Sequence, residues 1–127
     1  MPEAVLDASA VLAVLQEEPG GETVESLLAE CVISTVNLSE VVAKLVDNGI
    51  DGAAAVRLTE AQPFRPVDHT LDLARITGTI RAETRGAGLS LGDRACLALA
   101  IAMGLPVFTA DRAWRNLPLD IEIRPIR

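Results

Sequence analysis

The sequence predicts an α/β protein, a three-layer α/β/α sandwich whose central sheet is mostly parallel. Short apolar runs alternate with longer segments of helical periodicity along the chain, which is typical of strand–helix–strand units with parallel strands. The chain contains no repeat, low-complexity tract or linker, and its 127 residues suffice for one core without disulfides. We therefore expect residues 1–127 to form one domain.

Local signals place two strands and three helices in the first part of the chain. Val5 and Leu6 end a short apolar run, and Asp7 stops it directly before a helical segment. Asn37 is placed to cap the most regular helix, which Asn48-Gly49 would end. In chain order, the predicted elements are a strand ending at residue 6, helices over 8–15 and 22–30, a strand over 31–33 and a helix over 38–46.

Prolines, glycines and caps define the elements of the second part. Asp51 is placed to cap a short alanine-rich helix, Ser90 caps a longer one, and Gly104 ends it. Pro63 and Pro66 allow a short extended segment to be an edge strand or no strand at all, and the alternating tail is typical of a half-buried edge strand. In chain order, the predicted elements are a helix over 51–61, a strand over 63–67, helices over 70–84 and 91–103, and strands over 106–109 and 121–124.

The chain is acidic and, for a small domain, rich in apolar residues. Its formal charge is −7, from 18 acidic and 11 basic residues, and its mean hydropathy is +0.33. A protein that holds nucleic acid by electrostatics alone should be basic, so the charge argues mildly against nucleic acid. Acids gathered around a bound metal ion, however, form a site that attracts phosphate, because the ion supplies positive charge. Apolar surface beyond the capacity of one core favours a homodimer or a partner-protein interface.

The cysteines and the hydropathy pattern predict a cytoplasmic protein without membrane association. Cys31 and Cys96 lie in apolar segments without metal-ligand spacing, so we expect two reduced, buried thiols and no zinc site. Residues 1–3 lack the basic region of a signal peptide. The longest apolar run, residues 95–103, is too short to span a bilayer.

Two acidic residues, Asp7 and Asp111, directly follow strand-like runs. Either could simply cap the helical segment that comes after it. In open parallel sheets, however, ligands bind outside the carboxyl ends of the strands. Both carboxylates are therefore also expected where a site would form.

Two further acids, Glu40 and Asp93, fall in the first turns of predicted helices. Glu40 is spaced for a capping box with Asn37 and for an ion pair with Lys44, and Asp93 is spaced for a capping box with Ser90. These structural explanations stay open beside a functional one. Helices that follow parallel strands begin at the edge where the strands end, so these side chains are expected at the same edge as the first two acids.

We expect the four carboxylates to converge on one crevice and to hold a divalent metal ion. Unpaired acids would repel one another there, and a hard cation removes that cost. Mg²⁺ or Mn²⁺ suits an oxygen-ligand site that keeps several waters. Such an ion can polarise a phosphoryl oxygen, generate hydroxide from bound water and stabilise the leaving oxygen, so the pattern predicts hydrolysis.

Other catalytic arrangements fit the sequence less well. His69, the single histidine, has no evident Ser or Cys partner, and Gly20-Gly21 lacks the context of a phosphate-binding loop. A haloacid-dehalogenase-type hydrolase would have a second Asp where Ser9 stands. A receiver-type phospho-acceptor would have a lysine at the end of a late strand, and Lys44 does not provide one.

Four motifs in order resemble those of PIN-domain ribonucleases, and most closely the VapC-type toxins of bacterial toxin–antitoxin pairs. They are Val-Leu-Asp-Ala-Ser at 5–9, Asn-Leu-Ser-Glu-Val at 37–41, Leu-Ser-Leu-Gly-Asp-Arg-Ala-Cys at 89–96 and Val-Phe-Thr-Ala-Asp-Arg-Ala-Trp at 107–114. The resemblance extends over essentially the whole chain. It implies a PIN-like α/β/α sandwich and the metal-dependent endonucleolytic cleavage of RNA.

The resemblance also implies residue roles and partners. The cognate antitoxin would restrain a homodimer of the toxin, with its tail over the acidic crevice. Supporting hydroxyls would orient the neighbouring acids. By motif position, the implied Mg²⁺ or Mn²⁺ ligands are Asp7, Glu40, Asp93 and Asp111, and the supporting residues are Ser9 and Thr109.

Few side chains suit RNA binding, since the chain has two Phe, one Trp and no Tyr for base stacking. Phosphate binding is left to the metal and to a few arginines, and the candidates are Arg112 beside Asp111 and the helix face of Arg75, Arg81 and Arg85. For that face, a solvated surface is favoured over a phosphate contact. Two alternatives remain open: a same-fold nuclease of RNA maturation or repair, and a non-catalytic PIN-like module that binds protein or RNA.

Overall fold

The computed structural model describes all 127 residues and contains five strands and seven α-helices. The strands are Ala4–Leu6 (β1), Cys31–Ser34 (β2), Arg65–Val67 (β3), Val107–Thr109 (β4) and Ile123–Pro125 (β5). The helices are Ala8–Leu15 (α1), Gly21–Glu25 (α2), Thr35–Asp47 (α3), Gly52–Glu60 (α4), Leu71–Thr79 (α5), Arg81–Thr84 (α6) and Leu91–Met103 (α7). Short 3-10 segments lie at Leu28–Glu30, Arg85–Ala87 and Arg112–Asn116.

All the strands are parallel, and they pair in the order β3-β2-β1-β4-β5. At the centre, Val5 of β1 pairs with Val32 of β2 on one side and with Val107 of β4 on the other. The chain runs outward from β1 to β3 on one side and from β4 to β5 on the other, so the strand order reverses between β1 and β4. Ligands of parallel α/β sheets bind at the carboxyl edge beside such a reversal.

Two apolar cores cover the faces of the sheet, and neighbouring residues of the central strands alternate between them. Leu6 and Ile33 belong to the core that the first four helices cover. Val5 and Val32 belong to the other, with Leu97 of α7. Helices on both faces of a parallel sheet give the three layers that the sequence predicts. No helix combines the length and the apolar character needed to cross a bilayer.

The bounds of α7 agree with the prediction because both ends carry local signals. The Ser90 Oγ accepts a hydrogen bond from the Asp93 N–H at 3.0 Å, and Gly104 ends the helix with a φ of 65°. Such left-handed backbone favours glycine. The predicted edge strands are confirmed too, since β3 and β5 lie at the two ends of the sheet.

The predicted single helix over residues 70–84 is wrong, because the helix breaks at Ile80 between α5 and α6. The hydroxyls of Thr77 and Thr84 each donate to the carbonyl four residues earlier, both at 2.8 Å. Bonds of this kind bend a helix, and Gly78 further lowers the helix propensity beside the break.

The second predicted helix, over residues 22–30, is shorter than expected. α2 ends at Glu25, where the Ser26 Oγ donates to the Thr23 carbonyl at 2.9 Å in place of regular helical structure. The following 3-10 turn buries Leu28.

The predicted Asn37 cap is wrong. α3 begins at Thr35 because the Ser34 Oγ accepts from the Val36 N–H at 3.2 Å, which leaves Asn37 inside the first turn. Asp51 does lie at the N-cap position of α4, as predicted, but its side chain makes no capping bond.

Candidate active site

Asp7 stands where the two halves of the sheet meet, directly after β1. Its N–H donates to the Phe108 carbonyl of β4 at 3.0 Å. The buried carboxylate accepts three hydrogen bonds: Oδ1 from the Ala8 N–H at 2.9 Å, and Oδ2 from Ser9 Oγ at 2.7 Å and Thr109 Oγ1 at 2.8 Å. Asp7 therefore caps α1, as the structural explanation predicts, and is also held by two hydroxyls.

The two hydroxyls are themselves oriented by the loop after β4. Ser9 Oγ accepts from the Ala110 N–H at 2.9 Å, and Thr109 Oγ1 accepts from the Asp111 N–H at 3.0 Å. Because a backbone donor occupies one lone pair of each oxygen, each O–H is directed to the Asp7 carboxylate. Both hydroxyls therefore link the Asp7 carboxylate to the loop that carries Asp111.

Burial raises the pKa of Asp7 above its ordinary value, and the nearby charges of Asp93 and Glu40 raise it further. The hydrogen bonds from Ser9 and Thr109 act in the opposite direction and stabilise the carboxylate. Three acids that are distant in the sequence therefore share one electrostatic neighbourhood. A cation bound among them would stabilise the ionised form.

Glu40 lies in the second turn of α3, and its partner differs from both structural predictions. Its Oε1 accepts from the side-chain Nδ2 of Asn37 at 2.7 Å. Since Asn37 is within the helix, this bond is no capping box, and Glu40 forms no ion pair with Lys44. The carboxylate of Glu40 is instead held toward the start of α7.

Asp93 lies in the first turn of α7 and completes the capping box predicted from its spacing. Its Oδ2 accepts from the Ser90 N–H at 2.9 Å while its own N–H donates to the Ser90 Oγ. The capping box engages one carboxylate oxygen and leaves Oδ1 for other ligands.

Asp111 caps the 3-10 turn after β4, since its Oδ1 accepts from the Ala113 N–H at 3.0 Å. Asp93 and Asp111 line one cleft of about 470 Å³, which the segment around Gly88 borders. Arg112, the candidate phosphate contact, is exposed and makes no ion pair.

The remaining singled-out residues lie outside this arrangement. Arg75, Arg81 and Arg85 are exposed, as a solvated helix face requires. His69 is half-buried, and its backbone N–H donates to Thr35 Oγ1 at 3.1 Å. Cys31 and Cys96 are free and buried, as expected.

The oxygen donors fit a hard divalent cation that keeps part of its water shell. No three carboxylate, thiol or imidazole side chains lie close enough to surround one ion as they stand. Mg²⁺ commonly uses only one or two carboxylates together with waters, and the raised pKa of Asp7 marks a carboxylate that a cation would stabilise. The residues present therefore fit such an ion.

The sequence interpretation missed the partners of Glu40. Asn37 is fully buried, and its Nδ2 also donates to the Gly92 carbonyl at 2.9 Å. One signal for it was available: residues 37, 41 and 45 follow a helical spacing, and all three are buried in α3. That spacing places Asn37 on the core-facing side of the helix, where a polar side chain needs a partner.

Replacing Thr109 with valine is expected to lower the free energy of unfolding by about 1–3 kcal/mol. The variant keeps the side-chain shape but removes a donor to Asp7 and the acceptor of the Asp111 N–H. Urea denaturation measures the loss. Thr109→Ser keeps the hydroxyl and serves as the control, and an equal loss in both variants would contradict the assigned bonds.

The family comparison covers most of the chain. The model of the PIN domain family matches residues 4–119. A search of curated protein sequences returned no match.

Solved structures with the same fold include chains of VapBC and other toxin–antitoxin complexes, and the toxin VapC20. The DNA-bound VapBC complex from Salmonella typhimurium contains a chain 21% identical, with a TM-score of 0.78 and 100% of each chain covered. A toxin–antitoxin complex from Klebsiella pneumoniae gives 17% identity and 0.76, covering 98% of each chain. The sarcin–ricin loop cleaving toxin VapC20 from Mycobacterium tuberculosis gives 17% and 0.73, covering 97% of this chain and 100% of the other. At these identities the likeness shows the fold.

Proposed function

Because this chain belongs to the PIN domain family and has the VapC toxin fold, we propose that it is a metal-dependent endoribonuclease and the toxin of a toxin–antitoxin pair. The observation that carries the proposal is the environment of Asp7. Its carboxylate is buried at the strand-order reversal, held by two hydroxyls, and lies within the electrostatic reach of Glu40 and Asp93. A carboxylate that is buried close to other acids, where its ionised form is disfavoured, is typical of a functional site.

We assign the binding of Mg²⁺ or Mn²⁺ to the four acids, directly or through water: Asp7, Glu40, Asp93 and Asp111. When bound, the ion supplies a Lewis acid for a phosphoryl oxygen and lowers the pKa of a bound water. The hydroxyls of Ser9 and Thr109 donate to the Asp7 carboxylate, which favours its ionised form against the effect of burial and fixes its orientation. The capping box leaves one Asp93 oxygen available to a ligand.

The proposed substrate is RNA bound through its backbone and shape. Phe64, Phe108 and Trp114, which are all the aromatic residues of the chain, are buried and cannot stack on a base. Arg112 is exposed next to Asp111 and is assigned to a substrate phosphate. VapC20, the structurally similar toxin that cleaves the sarcin–ricin loop, supports RNA as the substrate class.

The proposed partners are a cognate antitoxin and a second copy of this chain. Val46 of α3 and Val56 and Leu58 of α4 are 44%, 43% and 40% exposed on two helices that pack together, and a contiguous apolar patch on such a surface marks a partner interface. Solved neighbours are toxin–antitoxin complexes. Light scattering tests the homodimer, and co-purification with the product of an adjoining reading frame tests the antitoxin. We expect the toxin to act in the cytoplasm on cellular RNA.

An RNA cleavage assay tests the proposed activity. The purified chain is incubated with total cellular RNA and with defined hairpins, in Mn²⁺, in Mg²⁺ and in EDTA, with DNA of the same sequence as a control. Internal cleavage of RNA is expected with either metal and none in EDTA. Intact RNA under every condition would contradict the endoribonuclease and favour a non-catalytic module.

Metal binding is expected to stabilise the folded protein independently of any RNA. Because an ion held among folded-state carboxylates does not bind the unfolded chain, Mg²⁺ or Mn²⁺ at ten times its Kd should raise Tm by roughly 5 °C. Thermal melts with metal and with EDTA measure this shift. NaCl of equal ionic strength is the control, and an equal shift in NaCl would contradict a specific site.

A further inference from the structure

Asn37 occupies a position that stability alone does not explain. It is fully buried on the apolar side of α3, between the backbone of α7 and the side chain of Glu40. Its two N–H groups are both used, since Nδ2 donates to Glu40 Oε1 at 2.7 Å and to the Gly92 carbonyl at 2.9 Å. Its Oδ1 is buried without a partner, which costs folding free energy that an apolar residue would avoid.

Gly92 completes the contact from the other side. A Cβ at this residue would lie 2.5 Å from the carboxylate of Glu40, which is closer than such atoms approach. Any other residue at position 92 would therefore displace the Glu40 carboxylate. The clash involves only the tip of a flexible side chain, so a substitution would move Glu40 and leave the helix able to form.

We propose that Asn37 and Gly92 are positioning residues that fix the Glu40 carboxylate beside Asp93 at the start of α7. We call this arrangement the Glu40 clamp. An exposed glutamate normally samples many rotamers, and the clamp restricts Glu40 to one of them before a metal arrives. The inference rests on the proposed function, since Glu40 gains from being fixed when it helps to hold an ion.

The clamp is tested first by Gly92→Ala against Gly78→Ala. Both changes add a methyl group to a helix, but a Cβ at Gly78 meets nothing within 4 Å. Loss of a group that orients a metal ligand costs about 10–100-fold in metal affinity. We therefore expect the Mg²⁺ or Mn²⁺ concentration at half-maximal thermal stabilisation to rise by that factor in Gly92→Ala and to stay unchanged in Gly78→Ala.

A double variant separates positioning from general damage. Glu40→Asp shortens the side chain by one methylene and withdraws the carboxylate from the added Cβ. Alone it should weaken metal binding, whereas in the Gly92→Ala background it should restore part of the lost affinity. Independent structural effects would instead add, so additive losses in this cycle would overturn the clamp.

Proton exchange at Asn37 supplies a readout that needs neither metal nor RNA. With both N–H groups donated, its side-chain amide protons are expected to exchange slowly with solvent in the metal-free protein and faster in Gly92→Ala. Equal exchange rates in both proteins would overturn the clamp.

Two further results would overturn it: equal metal concentrations at half-maximal stabilisation in Gly92→Ala and Gly78→Ala, or no metal binding by the wild type. If these experiments give the expected results but RNA stays uncut, the endoribonuclease is rejected and the clamp is retained.

Discussion

Replacing Asp93 with asparagine is expected to lower RNA cleavage by on the order of 1000-fold, since loss of a ligand should exceed the effect of losing a group that merely orients one. Asparagine can still accept the Ser90 N–H, so the capping box and the start of α7 should persist. What it removes is a negative charge that acts on Asp7 and, under the proposed function, a carboxylate oxygen for a hard cation. Cleavage rates at saturating Mg²⁺ and a thermal melt measure the two effects separately.

Asp51→Asn is the matched control for this variant. It makes the same change of charge at the start of a helix, but the Asp51 side chain is exposed and makes no capping bond. We expect it to cut RNA at the wild-type rate. Wild-type cleavage by the Asp93 variant would show that the cap is the whole role of this residue.

Replacing Asp7 with asparagine is expected to reduce cleavage by on the order of 1000-fold as well. In the metal-free protein, however, the same change is expected to raise the folding stability near neutral pH. The pKa of Asp7 is raised by burial and by its acidic neighbours, so the folded state binds the proton more tightly than the unfolded state does. Below the pKa that Asp7 has in the unfolded chain, its carboxyl group is protonated in both states and does not reduce the folding stability. As the pH rises through the higher pKa of the folded state, the buried carboxylate becomes charged and the folding stability falls. Asparagine carries no such charge.

The stability difference between this variant and the wild type should therefore shift in favour of the variant as the pH rises from about 4 to about 7 in EDTA. Added metal should reverse the order, because only the wild type keeps the carboxylate. Thermal melts across this pH range measure the difference. Asp72→Asn, at an exposed position on α5, is the control, and a pH-independent difference between the Asp7 variant and the wild type would contradict the assigned cause.

Elements with signals in their own sequence are the ones that could be predicted. Ser90 caps the start of α7 and Gly104 ends it, so both ends are marked by the residues directly beside them. β1 likewise ends at the first charged residue after an apolar run. The strand order follows from the pairing of distant segments, but the alternation of strands and helices is enough to predict a parallel sheet. The positions of Asp7 and Asp111 at the carboxyl edge follow from that sheet.

Features that depend on contacts between distant segments could not be predicted. Asn37 looks like a helix cap in its local sequence, but Ser34 takes that role, and the partner of Asn37 is a carbonyl 55 positions along the chain. The break at Ile80 likewise depends on whether the hydroxyls of Thr77 and Thr84 donate to the helix backbone or to solvent. Local periodicity contains no information about either choice.

The hydrogen bond between Asp7 and Thr109 joins residues 102 positions apart. Its consequence concerns translation, because the carboxylate of Asp7, the first acid of the proposed centre along the chain, is synthesised well before the hydroxyl that holds it. Until the segment that forms β4 has left the ribosome, β1 lacks one of its two neighbours in the sheet. Under the proposed function, a nascent chain therefore has no assembled centre, and the messenger and ribosome that produce it are not exposed to a working nuclease, until β4 has emerged and paired with β1.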